Sequence, residues 1–104
     1  MDPNDQRLDA QGVLALRREG GRWIRDLRAA AGLSQRGMAA TLGTDYYTFV
    51  SQVETGRRRI PPDRYRDWAD ALRVEPAWFV RHLMRFYDPV THALVFPGVE
   101  PGGP

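Results

Sequence analysis

Two helix-forming segments, residues 34–42 and 46–54, are separated by little more than Gly43. Each is only about two turns long. Helices this short do not stand alone in water, so both must be held by flanking elements. The flanks are available. Trp23, Ile24, Leu27 and Ala31 fall at helical spacing before Gly32. Tyr65, Trp68, Ala69 and Leu72 repeat at i, i+3, i+4 and i+7, and Phe79, Leu83 and Phe86 follow behind Pro76. The pattern predicts an all-α cluster of five helices over residues 22–31, 34–42, 46–54, 62–72 and 76–86.

The boundaries carry their own signals. Ser34 suits an N-cap, and Leu33 with Met38 suits a hydrophobic staple across it. Gly43 and Gly56 stop the second and third helices, and Thr44 or Asp45 is placed to cap the third. Pro61, Pro62 and Asp63 open the fourth. Gly37 sits inside the second helix, where it costs about 1 kcal/mol against alanine unless a backbone approaches there. Three domains of the chain are expected: an N-terminal extension over 1–21, the helical body over 22–87, and a C-terminal segment over 88–104. In the extension, Leu8, Val13, Leu14 and Leu16 suggest a short helix stopped by Gly20 and Gly21, either a mobile arm or a packing helix. Asp88 and Pro89 break the last helix. The apolar, partly β-branched stretch 90–96 has the character of a short β-strand, and the tail beyond it reads as disordered.

Charge narrows the function. All 15 basic residues are arginine, and the net charge is +2. Residues 22–73 hold 10 Arg against 6 acidic residues, whereas each flank carries a net −1. Arginine presents a rigid donor fork suited to phosphates and guanine edges. With no cysteine, disulfides, thiolate metal sites and cysteine nucleophiles are excluded. His82 and His92 lack metal-ligand spacing, and Ser34 and Ser51 have no base arranged around them, so no enzyme, metal or cofactor is expected. The polar N-terminus is no signal peptide and no apolar run is long enough to cross a bilayer, which makes a cytoplasmic protein without membrane contact the expectation.

The third helix carries Tyr47, Thr48, Ser51 and Gln52 on one uncharged polar face, with Val50 and Val53 opposite. Tyr46 and Phe49 suit either an inward position or contact with a thymine methyl or sugar. At this point the chain resembles a known family. Leu27, Arg28, Gly32, Leu33, Ser34, Gln35, Met38, Ala39, Leu42 and Gly43 carry the likeness, followed by residues 50–54 (Val-Ser-Gln-Val-Glu), Gly56, Arg57, Pro61, Ala69, Ala71, Leu72 and Val74. Residues 22–83 are similar to the Cro and lambda-repressor type of helix-turn-helix, the xenobiotic-response-element family of transcriptional regulators. One residue more than the commonest family pattern lies between Gly43 and Glu54, so either the turn is longer or the recognition helix begins later.

The resemblance implies a regulator, a repressor rather than an activator, that binds an inverted repeat in double-stranded DNA as a homodimer. Tyr47, Thr48, Ser51 and Gln52 become base-reading candidates, with Gln52 foremost because its amide matches adenine N6 and N7. Gln35, Arg36, Arg57, Arg58 and Arg59 are phosphate candidates, and Arg22 is a weaker one. Arg28 and Glu54 are implied as a structural pair. The apolar surface left over places a dimer interface on Trp78, Phe86, Val90, Leu94 and Phe96. Trp23, Trp68 and Trp78 read as core, but adjacent Trp78 and Phe79 cannot both face one core line. The alternative function is a protein-interaction module on the same fold, an antitoxin-like partner or a coactivator contacting RNA polymerase through the C-terminal segment.

Overall fold

A computed structural model describes residues 9–44 and 47–96. These residues form six α-helices: α1 (Ala10–Ala30), α2 (Gln35–Thr41), α3 (Tyr47–Glu54), α4 (Tyr65–Leu72), α5 (Pro76–Tyr87) and α6 (Pro89–Val95), with a 3-10 turn, Pro62–Arg64, leading into α4. No strand occurs among the described residues. Helix α1 packs on α3 and α5, α2 on α3 and α4, α4 on α5, and α6 on α5.

The core lies where these helices converge. Ile24, Met38, Val50, Val53, Ile60, Trp68, Ala69, Leu72, Phe79 and Leu83 are buried there. Each large apolar side chain removed from water contributes roughly 1.5–3 kcal/mol, which is what holds such short helices in place. Of the residues expected at helical spacing, Ile24, Trp68, Ala69, Leu72, Phe79 and Leu83 supply this core, while Trp23, Leu27, Ala31, Tyr65 and Phe86 are half-buried. Trp78 and Phe79 divide as adjacent helical positions must: Phe79 is buried, while Trp78 lies half-buried beside Trp23 and His82.

The N-terminal segment departs from expectation. Gly20 and Gly21 do not stop a helix; α1 runs unbroken through them, capped at its start by Asp9, whose Oδ1 accepts from the Gly12 amide at 2.7 Å. The helix therefore crosses the expected boundary at residue 21, and Leu8 falls outside the described residues. The two glycines are where α1 passes closest to its neighbours. A Cβ on Gly20 would lie 2.8 Å from the Phe86 Cβ, and one on Gly21 would collide with the Glu54 carbonyl. Close tertiary packing outweighs the helix propensity that two glycines forfeit, about 1 kcal/mol each.

The second departure is at 90–96, which is helical and not a strand. Asp88 ends α5 and also caps α6, its Oδ1 accepting from the Thr91 amide at 3.1 Å, and Pro89 stands in the first turn. Proline there forfeits nothing, because that amide has no intrahelical acceptor in any case. The same dipeptide thus closes one helix and opens the next. Helix α6 runs back along α5, which brings the Arg81 guanidinium 5.5 Å from the centre of the Phe96 ring.

Candidate nucleic-acid interface

Local chemistry sets the α2–turn–α3 unit. Gly32 adopts a positive φ of 74°, ending α1, and the Ser34 hydroxyl accepts from the Gly37 amide at 2.9 Å to start α2. The last turn of α2 is tied down from outside: Arg64 Nη2 donates to the Leu42 carbonyl at 3.0 Å. Asp45 and Tyr46, expected as cap and anchor, lie outside the described residues, and α3 is described from Tyr47.

One polar network fixes α3 against the rest of the fold. Arg28 Nε donates to Glu54 Oε2 at 2.5 Å and Nη2 to Oε1 at 3.0 Å, a bidentate pair with side chains only 14% and 3% exposed. Arg28 Nη1 also donates to the Leu33 carbonyl at 2.8 Å. Gln35 Nε2 donates to Glu54 Oε1 at 3.1 Å. The end of α1, the start of α2 and the end of α3 thereby meet at one carboxylate. Its hydrogen bond raises the Arg28 pKa above the ordinary guanidinium value, so this cation is permanent. The Gln35 side-chain amide is turned onto Glu54, which uses one of its two N–H groups.

With its Val50 and Val53 side buried, α3 turns Tyr47 and Thr48 outward, and Ser51 and Gln52 lie half-exposed beside them. Arg36 stacks its guanidinium 4.7 Å from the Tyr47 ring centre, which joins the first turns of α2 and α3. Phe49 takes the inward of its two alternatives, its ring edge-on to Trp68 at 6.3 Å. Thr44, Thr48, Phe49, Gln52 and Arg58 line a shallow concavity along this face.

The arginine triplet is held on a rigid loop. Gly56, at φ 81°, lets the chain turn back so that the Arg57 and Arg58 amides both donate to the Gln52 carbonyl, at 2.9 and 3.2 Å. At its far end the Ile60 amide donates to the Tyr87 hydroxyl at 3.1 Å, and burial pushes the pKa of that phenol up. Arg57, Arg58 and Arg59 are all exposed, and Arg22 projects from α1. Thr44, expected only as a cap, lines the concavity, and Gly20 and Gly21, expected only as a helix stop, are the points of close approach of α1.

The residues expected at a dimer interface separate into two groups. Trp78 and Phe86 are engaged within the chain, with ring centres 5.9 and 5.8 Å from Trp23. His82 joins them, its Nδ1 donating to the Trp78 carbonyl at 2.9 Å. Phe96 is half-buried under Arg81. Only Val90 and Leu94 stand out on α6, joined by Val95; Leu94 is 76% exposed.

The profile of a helix-turn-helix domain matches residues 21–87. The chain belongs to this helix-turn-helix domain family. The match covers α1 from Gly21 through the last residue of α5, so the clamp, both helices of the motif and the arginine loop all lie inside it. A search of curated proteins gave no match. Membership makes DNA the partner class of this helix-turn-helix domain, and such domains typically bind rather than catalyse. Among the described residues no cluster of His, Asp and Glu is arranged to hold a metal ion, and no helix is long and apolar enough to cross a membrane.

Proposed function

We propose that the chain is a sequence-specific transcriptional regulator of the Cro and lambda-repressor type. It inserts α3 into the major groove of an inverted repeat and acts as a homodimer in the cytoplasm. The observation that carries this reading is the Arg28–Glu54–Gln35 network, which presents α3 at a fixed angle with its uncharged polar side outward. A groove-reading helix must be rigid relative to its phosphate contacts, because base-edge hydrogen bonds tolerate little misplacement. Thr48, Ser51, Gln52 and Tyr47 read base edges. Gln35 and Arg36 at the start of α2, with Arg57 and Arg59 beyond α3, meet phosphates on either side. Repression follows because occupancy of an operator is itself enough to block a promoter.

Dimerisation is assigned to α6. Its sequence, Pro89–Val95, contains no Asp, Glu or Arg, whereas the rest of the surface is rich in arginine. A two-fold interface sets the same patch of both copies against each other, so a helix without acidic or arginine side chains self-associates without like-charge repulsion between such groups. Dimers two recognition helices wide span half-sites one DNA turn apart. The same exposed Leu94 and Val95 motivate the second reading, a module that binds another protein through α6.

A salt series separates the two. For a dimer making about six phosphate contacts, log affinity for duplex DNA falls against log salt with a slope on the order of −5. Leu94→Asp should then convert a dimer to a monomer in sedimentation and weaken DNA binding, although it leaves α3 untouched, because one half-site contact is lost. Weak DNA binding without sequence preference, beside a protein partner held through apolar contacts with little salt dependence, favours the second reading.

A further inference from the structure

We propose that Arg58 reads a guanine in the major groove, and so determines specificity, instead of holding a phosphate like its neighbours. The inference rests on the DNA-binding reading above and adds to it a residue from outside the recognition helix.

The three consecutive arginines do not act alike, because the loop sends them in different directions. Arg59 lies over the Tyr87 ring on the α5 side, with 4.8 Å between guanidinium and ring centre. Arg58 folds the other way, its guanidinium 5.7 Å from the centre of the Phe49 ring on α3. Phe49 is itself immobilised edge-on against buried Trp68. The backbone that carries Arg58 is anchored on both sides, by the Gln52 carbonyl and by the Tyr87 hydroxyl. Arg58 therefore shares one concavity with Thr44, Thr48 and Gln52.

Position decides what such a guanidinium meets. Phosphates line the rims of the groove, while base edges face the outward side of the inserted helix. A cation laid along α3 next to Gln52 is on the base side. The planar fork of arginine matches O6 and N7 of guanine, the commonest specific contact in the major groove. Stacking on Phe49 also restricts the long side chain before binding, so less conformational freedom is lost when the two hydrogen bonds form. Gln52 and Arg58, side by side, then read neighbouring base pairs.

The test uses the full chain and begins by selecting its preferred site from random duplex DNA. Each guanine of that site is then replaced singly by 7-deazaguanine, which lacks the N7 acceptor. Affinities are measured for the wild type, Arg58→Ala and Arg58→Lys, with thermal melts to show that the exposed substitutions leave the fold intact. One guanine in each half-site should be special: its replacement weakens wild-type binding roughly tenfold. The same replacement should have no further effect on Arg58→Ala, whose salt slope should match the wild type, and Arg58→Lys should restore little because a lone ammonium cannot bond O6 and N7 as a fork. A uniform loss across all sites with a shallower salt slope makes Arg58 a phosphate contact and overturns the inference while leaving the DNA reading intact. A wild-type chain that selects no motif overturns both.

Discussion

Gly21 of α1 lies backbone to backbone against Glu54, the last residue of α3. A Cβ at Gly21 would strike the Glu54 carbonyl and stand 2.8 Å from that of Val53. The glycine thus permits the closeness at which Arg28, seven residues further along the same helix, reaches the Glu54 carboxylate. The angle of α3 is set by a steric contact on one side and a bidentate ion pair on the other.

Gly21→Ala should accordingly destabilise the fold. The methyl gains about 1 kcal/mol of helix propensity, but overpacking against backbone that cannot rotate away costs about 1–3 kcal/mol, and the loss should win. At Gly37 the added Cβ meets only the Ser34 hydroxyl at 3.2 Å and Leu33 Cδ2 at 3.6 Å. Gly37→Ala should be close to neutral, its propensity gain offset by displacing the cap. Urea unfolding of both variants checks the contrast, and equal effects would contradict it.

Removing one partner of the clamp should cost more than removing both. Arg28→Ala leaves a carboxylate buried without its cation, a loss of roughly 3–5 kcal/mol. Replacing Arg28 and Glu54 together by Met and Leu should recover much of that stability. It should not recover specific DNA binding, because Gln35 then has no acceptor at Glu54 and the fixed pose of α3 is lost. A double variant that melts like the wild type and still binds specifically would show that the pair does not orient the helix.

Helix α6 should loosen on acidification in two steps. His92 has an Nε2 closed off from solvent without a hydrogen-bond partner, and burial, then Arg85 and His82, push its pKa below the ordinary 6.5. The unfolded chain therefore binds its proton first, so stability is full above about pH 6.5 and declines as pH falls below it. Asp88 is held below the ordinary 3.8 by its hydrogen bonds from Thr91. Its contribution as the cap of α6 is present above about pH 4 and is lost as pH falls further. Amide exchange at Thr91 and Phe96 across pH 3–8 should show both steps. His92→Gln should abolish only the upper step, and Asp88→Ala should leave α6 frayed throughout the range.

Much of the fold was legible because its signals are local. Ser34, Gly32, Gly43 and Gly56 punctuate the helices through caps and positive φ angles, and the apolar spacing of Trp68, Ala69, Leu72, Phe79 and Leu83 marks the buried stripe. The misreadings have a common cause. Gly20 and Gly21 look like a stop when only their own segment is considered, and become a crossing point once Glu54 and Phe86 are in place. Residues 90–96 carry strand-like side chains, but the Asp88 cap and the flank of α5 decide for a helix. The direction of Arg58 depends on a ring in another element, and no spacing rule supplies that.

Selection of binding sites from a random duplex pool, repeated with Gln52→Ala, tests the central claim most directly. The wild type should yield an inverted repeat with half-sites one helical turn apart, and the variant should lose about 1–3 kcal/mol of discrimination at one base pair per half-site while other positions keep theirs. Recovery of no motif, or a Gln52→Ala variant that selects the same motif with undiminished preference at every position, would contradict the assignment of α3 as the element that reads DNA.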